Sequence, residues 1–432
     1  MASSINKQIP LYPLLLINFI GTLGFSIVLP FLVFLVMDFG GNAIVYGILA
    51  AVYPAFQLLG SPILGKWSDI YGRKKVLLIS HGGTLIGWIF FLFALFIPVE
   101  NLFEVSSLFI GTFVITLPLV MLFLARSIDG ITGGNISVAN AYLADISSDE
   151  NRSKNFGKMS ISSNLGFIVG PAIAGILGAT IYQELLPVLA AFFLSLITLI
   201  VIFFALKESK PQSIVVTKQI PENESIRKVF AQECKECYQP PNPEKLRFKD
   251  VFKLKNISFL IVLYFFIFLG FNIFYTSFPL HAVGDLKWSV IELGTFYAVL
   301  SGIMVLVQGP VLHKALKKFS EEKLVIIGSI ILGTNFILFV TNNDIFIYGA
   351  AVLFAVGNGL MWPSFLSILS KIAGNAYQGF IQGVASSFGS LASIVGLIIG
   401  GLLYSLIGGF TFLITAGIIF LVFILSFKLL KL

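Results

Sequence analysis

The sequence predicts an all-α polytopic membrane protein with twelve transmembrane helices arranged as two six-helix pseudo-repeats. Of the 432 residues, 57% are hydrophobic and 11% are charged, whereas soluble globular chains are about 25% charged. The apolar runs are also longer than the roughly 20 residues that a helix needs to cross a ~30 Å hydrocarbon core. The first run is too long for the core of a cleavable signal peptide, so none is expected.

Twelve apolar segments carry this prediction. They span residues 11–37, 44–64, 76–98, 113–146, 157–180, 185–206, 258–280, 290–312, 323–341, 345–370, 379–405 and 409–430. An even number of crossings places both termini on one side, and Lys and Arg concentrate in cytoplasmic loops. Of the 28 Lys and Arg residues, 26 lie at the termini or in the loops that follow even-numbered spans; the exceptions are Lys287 and Arg126. Both termini are therefore expected to be cytoplasmic.

A polar segment at residues 207–257 divides the chain, because it combines five prolines with many charges and has too little apolar surface for a packed core. We expect an N-terminal six-helix bundle at 1–206, a cytoplasmic linker at 207–257 and a C-terminal six-helix bundle at 258–432. Such internal repeats are how many transporter folds build a central site.

The two halves repeat weakly at an offset of 226 residues, which pairs Gly157, Gly170 and Gly175 with Gly383, Gly396 and Gly401. The offset changes around residues 98–118, where the first half has an insertion. We expect a long extracellular loop with an interfacial helix there, followed by a lengthened fourth span. A thirteenth crossing is disfavoured, since it would break the charge pattern.

The net charge of +7 is explained by topology. A nucleic-acid-binding protein would need basic residues on a soluble domain with aromatic platforms, and no such domain is expected. Cys234 and Cys237 form a lone Cys-x-x-Cys in the linker. Zinc would need two further ligands, and the three histidines, His81, His281 and His313, are distant in sequence. Reduced thiols are favoured over a redox or intermolecular metal site, and no cofactor or metal is expected.

The loop between the second and third spans carries a motif of glycines and charges. Its candidate residues are Gly65, Asp69, Gly72, Arg73 and Lys74, together with Asp145 at the end of the fourth span. The glycines allow tight turning and close approach, and Asp69 can face a helix N-terminus, where an acid is favoured. Arg73 can pair with Asp145. The alternative is that the basic residues serve only to fix topology.

Arg126 and Asp129 lie three residues apart in the fourth span, so they share a helix face. A charge at the bilayer centre costs about 2.5–3.5 kcal/mol even on the lenient insertion scale, so such residues usually face a cavity and carry function. Two interpretations remain open. The pair couples transport to a proton or binds an anionic substrate, or it is a static ion pair that cements helix packing.

The fifth span contains the small-residue series Gly166, Gly170, Pro171 and Gly175. Small residues at this spacing let helices approach closely, and proline disturbs a helix. Generic helix packing is the alternative, and the proline argues against it. The uncharged polar residues that we expect near a cavity are Gln57, Asn164, Asn272, Tyr275, Gln308, Asn358 and Gln382. Each is either a ligand or an interhelical hydrogen bond. His81 is expected to be packed or interfacial.

These motifs resemble the major facilitator superfamily, and within it the tetracycline-resistance and drug:proton antiporter group. The resemblance covers nearly the whole chain and includes Tyr46-Gly47-Ile48-Leu49 and Ala141-Tyr142-Leu143-Ala144-Asp145-Ile146. It implies that the Gly65–Lys74 loop is a conformational latch, that Arg126 takes part in proton coupling, and that Gly170-Pro171 belongs to an antiporter motif. Tetracycline exporters carry acids within the first, third and ninth helices, where this chain has Gly21, Gly87 and Leu332.

The expected function is secondary active transport of a small lipophilic or amphipathic solute by alternating access, as proton-coupled efflux. Uptake or exchange of an anionic metabolite, with Arg126 as its counter-ion, is the alternative. A membrane enzyme is disfavoured because no nucleophile with its base is apparent, and a non-transporting receptor is a further alternative. We expect a monomer in a bacterial inner membrane, with protons, a small-molecule substrate and the bilayer as partners and no nucleic acid.

Overall fold

Long apolar helices make up most of the protein. The computed structural model describes residues 10–107, 111–133, 135–147, 149–209 and 256–431. Within these residues, eight helices are long and apolar enough to cross a membrane, and Tyr12–Ser26 is a shorter apolar helix. Cys234, Cys237 and most of the predicted linker lie outside the described residues.

Among its described residues, the N-terminal half contains eight α-helices and two strands: α1 Tyr12–Ser26, α2 Leu32–Asp38, α3 Ala43–Tyr71, α4 Arg73–Phe96, β1 Asn101–Ser107, β2 Gly111–Thr116, α5 Leu117–Ile131, α6 Asn135–Ile146, α7 Asp149–Gly178 and α8 Leu185–Ala205. The C-terminal half contains six: α9 Ile257–Gly284, α10 Val290–Leu306, α11 Leu312–Leu316, α12 Glu321–Leu338, α13 Asp344–Ile407 and α14 Thr411–Ser426.

The insertion at residues 98–118 is a β-hairpin, so the expected interfacial helix is wrong. β1 pairs with β2 as an antiparallel ladder in which Phe103 lies opposite Ile115. The Val114 amide donates to the Gly40 carbonyl at 2.8 Å, which ties the hairpin to the turn before α3. Because β2 runs to Thr116 and α5 begins at Leu117, the fourth span is not lengthened in the way expected. The hairpin adds no further crossing.

Three predicted spans are interrupted. The first is broken between α1 and α2 around Pro30, and the eighth contains a π-helical turn over Val307–Val311 that includes Pro310. Proline lacks an amide hydrogen and clashes with the preceding helical turn. The fourth span is broken between α5 and α6, next to Gly133.

Helix α13 contains two predicted spans, 345–370 and 379–405, in one helical hydrogen-bond pattern of 64 residues. A straight helix of that length would hold its ends about 95 Å apart. Near one end, Asp344 accepts a hydrogen bond from Trp288 at 3.2 Å, and near the other, Tyr404 donates to Asp285 at 2.7 Å. Both ends therefore lie beside the same short loop, and α13 folds back on itself.

The two halves meet at the end of the molecule that carries the β-hairpin, here called the hairpin end. A Cβ on Gly294 of α10 would lie 2.6 Å from the Cα of Gly175 in α7. A Cβ on Gly401 of α13 would lie 2.5 Å from the Ala43 carbonyl in α3. These two glycine contacts let helix backbones from opposite halves approach without side chains between them.

The packing differs at the opposite end, here called the linker end. One apolar cluster contains residues of both halves, including Phe31 and Phe278 near the hairpin end, and it continues through the C-terminal half as far as Ile257 and Leu429. At the linker end, Leu77 belongs to a cluster drawn from the N-terminal half alone, and Leu324 belongs to a cluster drawn from the C-terminal half alone. The halves are therefore joined at the hairpin end and packed separately at the linker end.

Replacing Gly294 by Val should lower the melting temperature of the purified protein, because the new side chain forces α10 away from Gly175. Overpacking of this kind costs about 1–3 kcal/mol. The matched control is Gly302→Val on the same helix, where a Cβ meets no atom within 4 Å. Equal melting temperatures for the two variants would show that the Gly175–Gly294 contact does not hold the halves together.

Candidate functional site

A small, partly enclosed cavity lies within the N-terminal half. Helices α1, α3, α4, α5, α6 and α8 provide its walls. The lining residues are Gly21, Gly24, Phe25, Tyr53, His81, Thr84, Trp88, Arg126, Asp129, Asn135, Ser195 and Thr198. The cavity combines aromatic rings with one carboxylate and one guanidinium, a mixture suited to an amphipathic ligand.

Asp129 is the acid of this cavity. Its Oδ1 accepts a hydrogen bond of 2.7 Å from the Thr84 hydroxyl on α4. The two helices come close there because residue 87 is glycine: a Cβ on Gly87 would lie 3.2 Å from the Ala125 carbonyl and 3.4 Å from the Asp129 Cβ. The glycine at position 87 therefore lets α4 approach Asp129 closely.

Arg126 is 6% exposed, and its Nε has no hydrogen-bond partner. Its guanidinium carbon lies 5.5 Å from the centroid of the Phe91 ring, a cation–π distance. Arg126 and Asp129 do not form an ion pair within 4 Å, unlike the pairs found elsewhere among the described residues. The two side chains line the cavity as separate charges, and the static ion pair considered from the sequence is not formed in this conformation.

Gln57 supports the cavity wall from behind. Its amide nitrogen donates to the Tyr53 hydroxyl at 3.1 Å and to the Gly133 carbonyl at 2.9 Å, next to the break between α5 and α6. These bonds fix the Tyr53 ring, which lines the cavity. Gln57 is therefore a positioning residue for Tyr53.

His81 is a cavity residue that the sequence analysis missed. It is packed, as expected, with 4% exposure, and it also lines the cavity. The signal was present in the spacing of His81, Thr84 and Trp88, which at i, i+3 and i+7 share one face of α4. In the structure Thr84 binds Asp129, so the face of α4 that carries His81 and Trp88 also points toward the charged residues.

The remaining uncharged candidates are not brought to this cavity. Asn272 donates to the Phe268 carbonyl at 2.8 Å and to the Ser393 hydroxyl at 2.9 Å, so it joins α9 to α13. Asn358 lies 3.7 Å from the Met304 sulfur, and its Oδ1 is buried without a partner.

Tyr275 keeps 37% exposure on α9, and Gln308 lies in the π-helical turn. The side chains of Asn164 and Gln382 lie outside the described residues, so their predicted roles stay predictions. The cavity is thus built from the N-terminal half, whereas five of the seven candidates belong to the C-terminal half: Asn272, Tyr275, Gln308, Asn358 and Gln382.

At the linker end, Arg73 is 5% exposed, and its Nε lies 2.9 Å from Asp145 Oδ2. Its guanidinium also donates to the Ser68 hydroxyl, which in turn donates to the Gly65 carbonyl at 2.7 Å. The contact expected between Arg73 and Asp145 is present. The ion pair ties the start of α4 to the end of α6.

Two other residues of the predicted latch differ from expectation. A Cβ on Gly65 would meet no atom within 4 Å of the described structure, so the close approach expected there is wrong. The side chain of Asp69 lies outside the described residues. Lys74 Nζ donates to the Phe203 carbonyl at 2.7 Å, at the end of α8, where a cation is favoured by the helix dipole.

Glu208 was missed by the sequence analysis. Its carboxylate accepts hydrogen bonds from the backbone amides of Arg73 at 2.7 Å and Lys74 at 3.1 Å, so it caps the N-terminus of α4. Gly72 makes room for it, because Gly72 has a φ of 101° and a Cβ there would lie 2.5 Å from a Glu208 oxygen. An acid directly after the sixth span was the available signal.

The small residues of the fifth span contact two different helices. Gly166 and Gly170 face α1: Cβ atoms there would lie 2.8 Å from the Phe19 carbonyl and 2.9 Å from the Leu23 carbonyl. Gly175 faces α10 across the junction of the halves, and the Pro171 carbonyl lies beside Gly294. Helix α7 continues through Pro171, so the expected disturbance does not interrupt the helix.

The family model described as Major Facilitator Superfamily matches residues 14–396 and 309–432. The chain belongs to this superfamily. Like its other members, the protein is a membrane transporter of small molecules and not an enzyme. Within the superfamily, its relatives are tetracycline- and multidrug-resistance proteins, the group expected from the sequence motifs.

Individual relatives cover nearly the whole chain. Multidrug resistance protein 1 of Bacillus subtilis is 30% identical over 93% of this chain and 91% of its own length. The class D tetracycline resistance protein of Salmonella ordonez is 28% identical over 90% of this chain and 88% of its own. Among solved structures, a D-xylose–proton symporter superimposes with a TM-score of 0.72 at 15% identity, covering 96% and 97% of the two chains. This last similarity concerns the fold alone.

Asp145→Asn should lower the melting temperature of this major facilitator protein, because it leaves the buried Arg73 guanidinium without its counter-charge. Breaking a fully buried ion pair costs about 3–5 kcal/mol, and we expect less here because Asp145 keeps 20% exposure. Glu104→Gln on the exposed strand β1 is the matched control. A variant that melts together with this control would rule out a stabilising role for the pair.

Proposed function

We propose that this chain is a secondary active transporter that exports a small lipophilic or amphipathic solute in exchange for protons. The observation that carries the proposal is the pair of separate charges, Arg126 and Asp129, in a cavity with aromatic walls. The names of the drug-resistance relatives support export as the direction. The aromatic rings of Phe25, Tyr53 and Trp88 suit a solute with an apolar body.

Asp129 is the proposed proton carrier. Carboxylates inside membrane spans commonly form proton relays, and Asp129 is the acidic residue among those that line the cavity. A proton on Asp129 removes the negative charge that lies one helical turn from Arg126, so the cavity becomes net positive. A cationic or neutral solute and a proton would then favour different charge states of one site, which couples their movements.

The proposed transport cycle is alternating access by rocking residues 11–206 against residues 258–430. The glycine contacts at the hairpin end and the separate apolar clusters at the linker end support a cycle in which the halves part at one end at a time. With the hairpin end outward, this conformation would be closed to the outside.

We further propose twelve crossings in two six-helix repeats, both termini in the cytoplasm, and a bacterial inner membrane as the location. The fold-back of α13 supports separate tenth and eleventh crossings. The distribution of Lys and Arg supports the orientation, and the bacterial relatives support the location. Protease added to spheroplasts, whose inner membrane is accessible from outside, should not cut residues 207–257. Cleavage there would show that this segment faces outward and that the proposed orientation is wrong.

A specific observation favours the alternative function, the uptake or exchange of an anionic metabolite. Arg126 is a buried cation whose Nε lacks a hydrogen-bond partner, and a buried charge is stabilised by pairing. A carboxylate of the solute could supply that pairing. The two functions differ in whether Arg126 contacts the solute or tunes the charge around Asp129.

Asp129→Asn should abolish accumulation driven by a pH gradient in proteoliposomes while solute binding is spared, because Asn cannot carry the proton. The test solute is the compound that most raises the melting temperature in a ligand screen, since binding stabilises the native state. Glu104→Gln, which removes an acid outside the cavity, should transport like the wild type. Accumulation by Asp129→Asn at the wild-type level would exclude Asp129 as the proton carrier.

Arg126→Gln distinguishes the two functions. If the solute is an anion held by Arg126, its binding should weaken about 10- to 150-fold, the loss expected for a hydrogen bond to a charged group worth about 1.5–3 kcal/mol. Arg126→Lys should then restore part of the affinity. Under proton-coupled export of a neutral or cationic solute, Arg126→Gln should change the pH dependence of transport and leave binding within about twofold.

A further inference from the structure

Helix α1 presents two glycines to the cavity, Gly21 and Gly24, which lie three residues apart and share a helix face. Gly24 is buried, yet a Cβ built on it would meet no atom within 4 Å. A Cβ on Gly21 would lie 3.3 Å from His81 Cε1. A buried position whose side chain would meet nothing must point into empty space, and here that space is the cavity.

Packing does not explain the glycine at position 24. At Gly166 and Gly170 on α7, an added Cβ would collide with the backbone of α1, so those glycines are required by a neighbouring helix. Gly24 has no such neighbour, and glycine is less favourable than alanine in a helix interior. What glycine preserves at this position is cavity space beside a bare stretch of backbone.

The wall that results has a particular shape. On the α1 side it consists of peptide backbone without side chains, a surface that glycine provides where a ligand must come close to the chain. Phe25, Tyr53 and Trp88 add aromatic faces, and the Phe25 and Tyr53 rings lie 5.2 Å apart. Flat groups stack well on such surfaces, while Arg126 and Asp129 provide polar contacts for the edge of a ring.

We infer that Gly24, assisted by Gly21, is a specificity-determining residue that admits a flat, ring-containing group and rejects a globular group of the same charge. The inference rests on the proposed function, since it requires that part of the solute enters this cavity. It adds a shape criterion that neither the charge of Arg126 and Asp129 nor the similarity to drug-resistance relatives supplies.

The test measures binding of two pairs of probes, each pair matched in charge and different in shape. The acids are 9-anthracenecarboxylate and 1-adamantanecarboxylate; the amines are 9-aminoacridine and 1-adamantanamine. The wild type should prefer the flat member of at least one pair. Gly24→Ala should weaken that binding about tenfold and Gly24→Val should weaken it further, because one extra carbon in a pocket changes affinity by about 10- to 200-fold.

Gly82→Ala and Gly82→Val are the matched controls. Gly82 lies on α4 next to His81, a Cβ on it also meets no atom within 4 Å, and it does not line the cavity. These variants should bind the flat probes within about twofold of the wild type. The melting temperature of Gly24→Ala should not fall, since its Cβ meets no clash. A folded Gly24→Ala with weakened binding therefore reports on the cavity and not on folding.

Two results would overturn the inference. One is a Gly24→Val variant that binds the flat probes as the wild type does. The other is a wild type that binds no flat probe better than its globular counterpart. The proposed function fails separately: if Asp129→Asn still accumulates solute but the Gly24 variants lose the flat probes selectively, proton coupling is wrong and the shape filter stands.

Discussion

The organisation of this protein depends on one constraint, the cost of holding charge inside an apolar helical bundle. Arg126 and Asp129 lie inside a predicted membrane span, where an ion must pair, bind polar groups or line a cavity. Thr84 binds the carboxylate, and Phe91 covers one side of the guanidinium. The space left between the helices is the cavity. Its glycines, aromatic rings and supporting Gln57 are arranged around the two charges.

A second constraint is the close approach of helix backbones, both within each half and between the halves. Gly170 and its repeat partner Gly396 contact equivalent helices: Gly170 packs on α1, and Gly396 packs on Asn272 and Ile273 of α9. Gly175 and its partner Gly401 both contact a helix of the other half. The same glycine pattern therefore serves once within each half and once between the halves. The 226-residue offset found in the sequence therefore pairs glycines that make equivalent contacts in the structure.

The sequence was sufficient to predict a feature where the type of residue alone decides it. Apolar length predicted membrane helices, and eight helices of the described residues are long and apolar enough to cross a membrane. The acid that closes the fourth span was the predicted partner of Arg73, and the contact is present. The sequence was insufficient where a structural feature depends on contacts with residues far along the chain. The hairpin at Asn101–Thr116 is held by a hydrogen bond to the turn at Gly40. Glu208, which follows the sixth span, caps the N-terminus of α4. Gly24 could not be told from a packing glycine, because only the absence of a neighbour distinguishes it.

The cap formed by Glu208 has a consequence for dissecting the protein into fragments. Glu208 and Ser209 lie at the start of the predicted linker, and they bind the α4 amides and Asp145 respectively. A polypeptide that stops at residue 206 would leave two amide donors of α4 uncapped, whereas one that continues through Ser209 carries the cap with it. When the halves are produced as two chains, the first should therefore extend at least through Ser209, four residues beyond the end of α8 at Ala205.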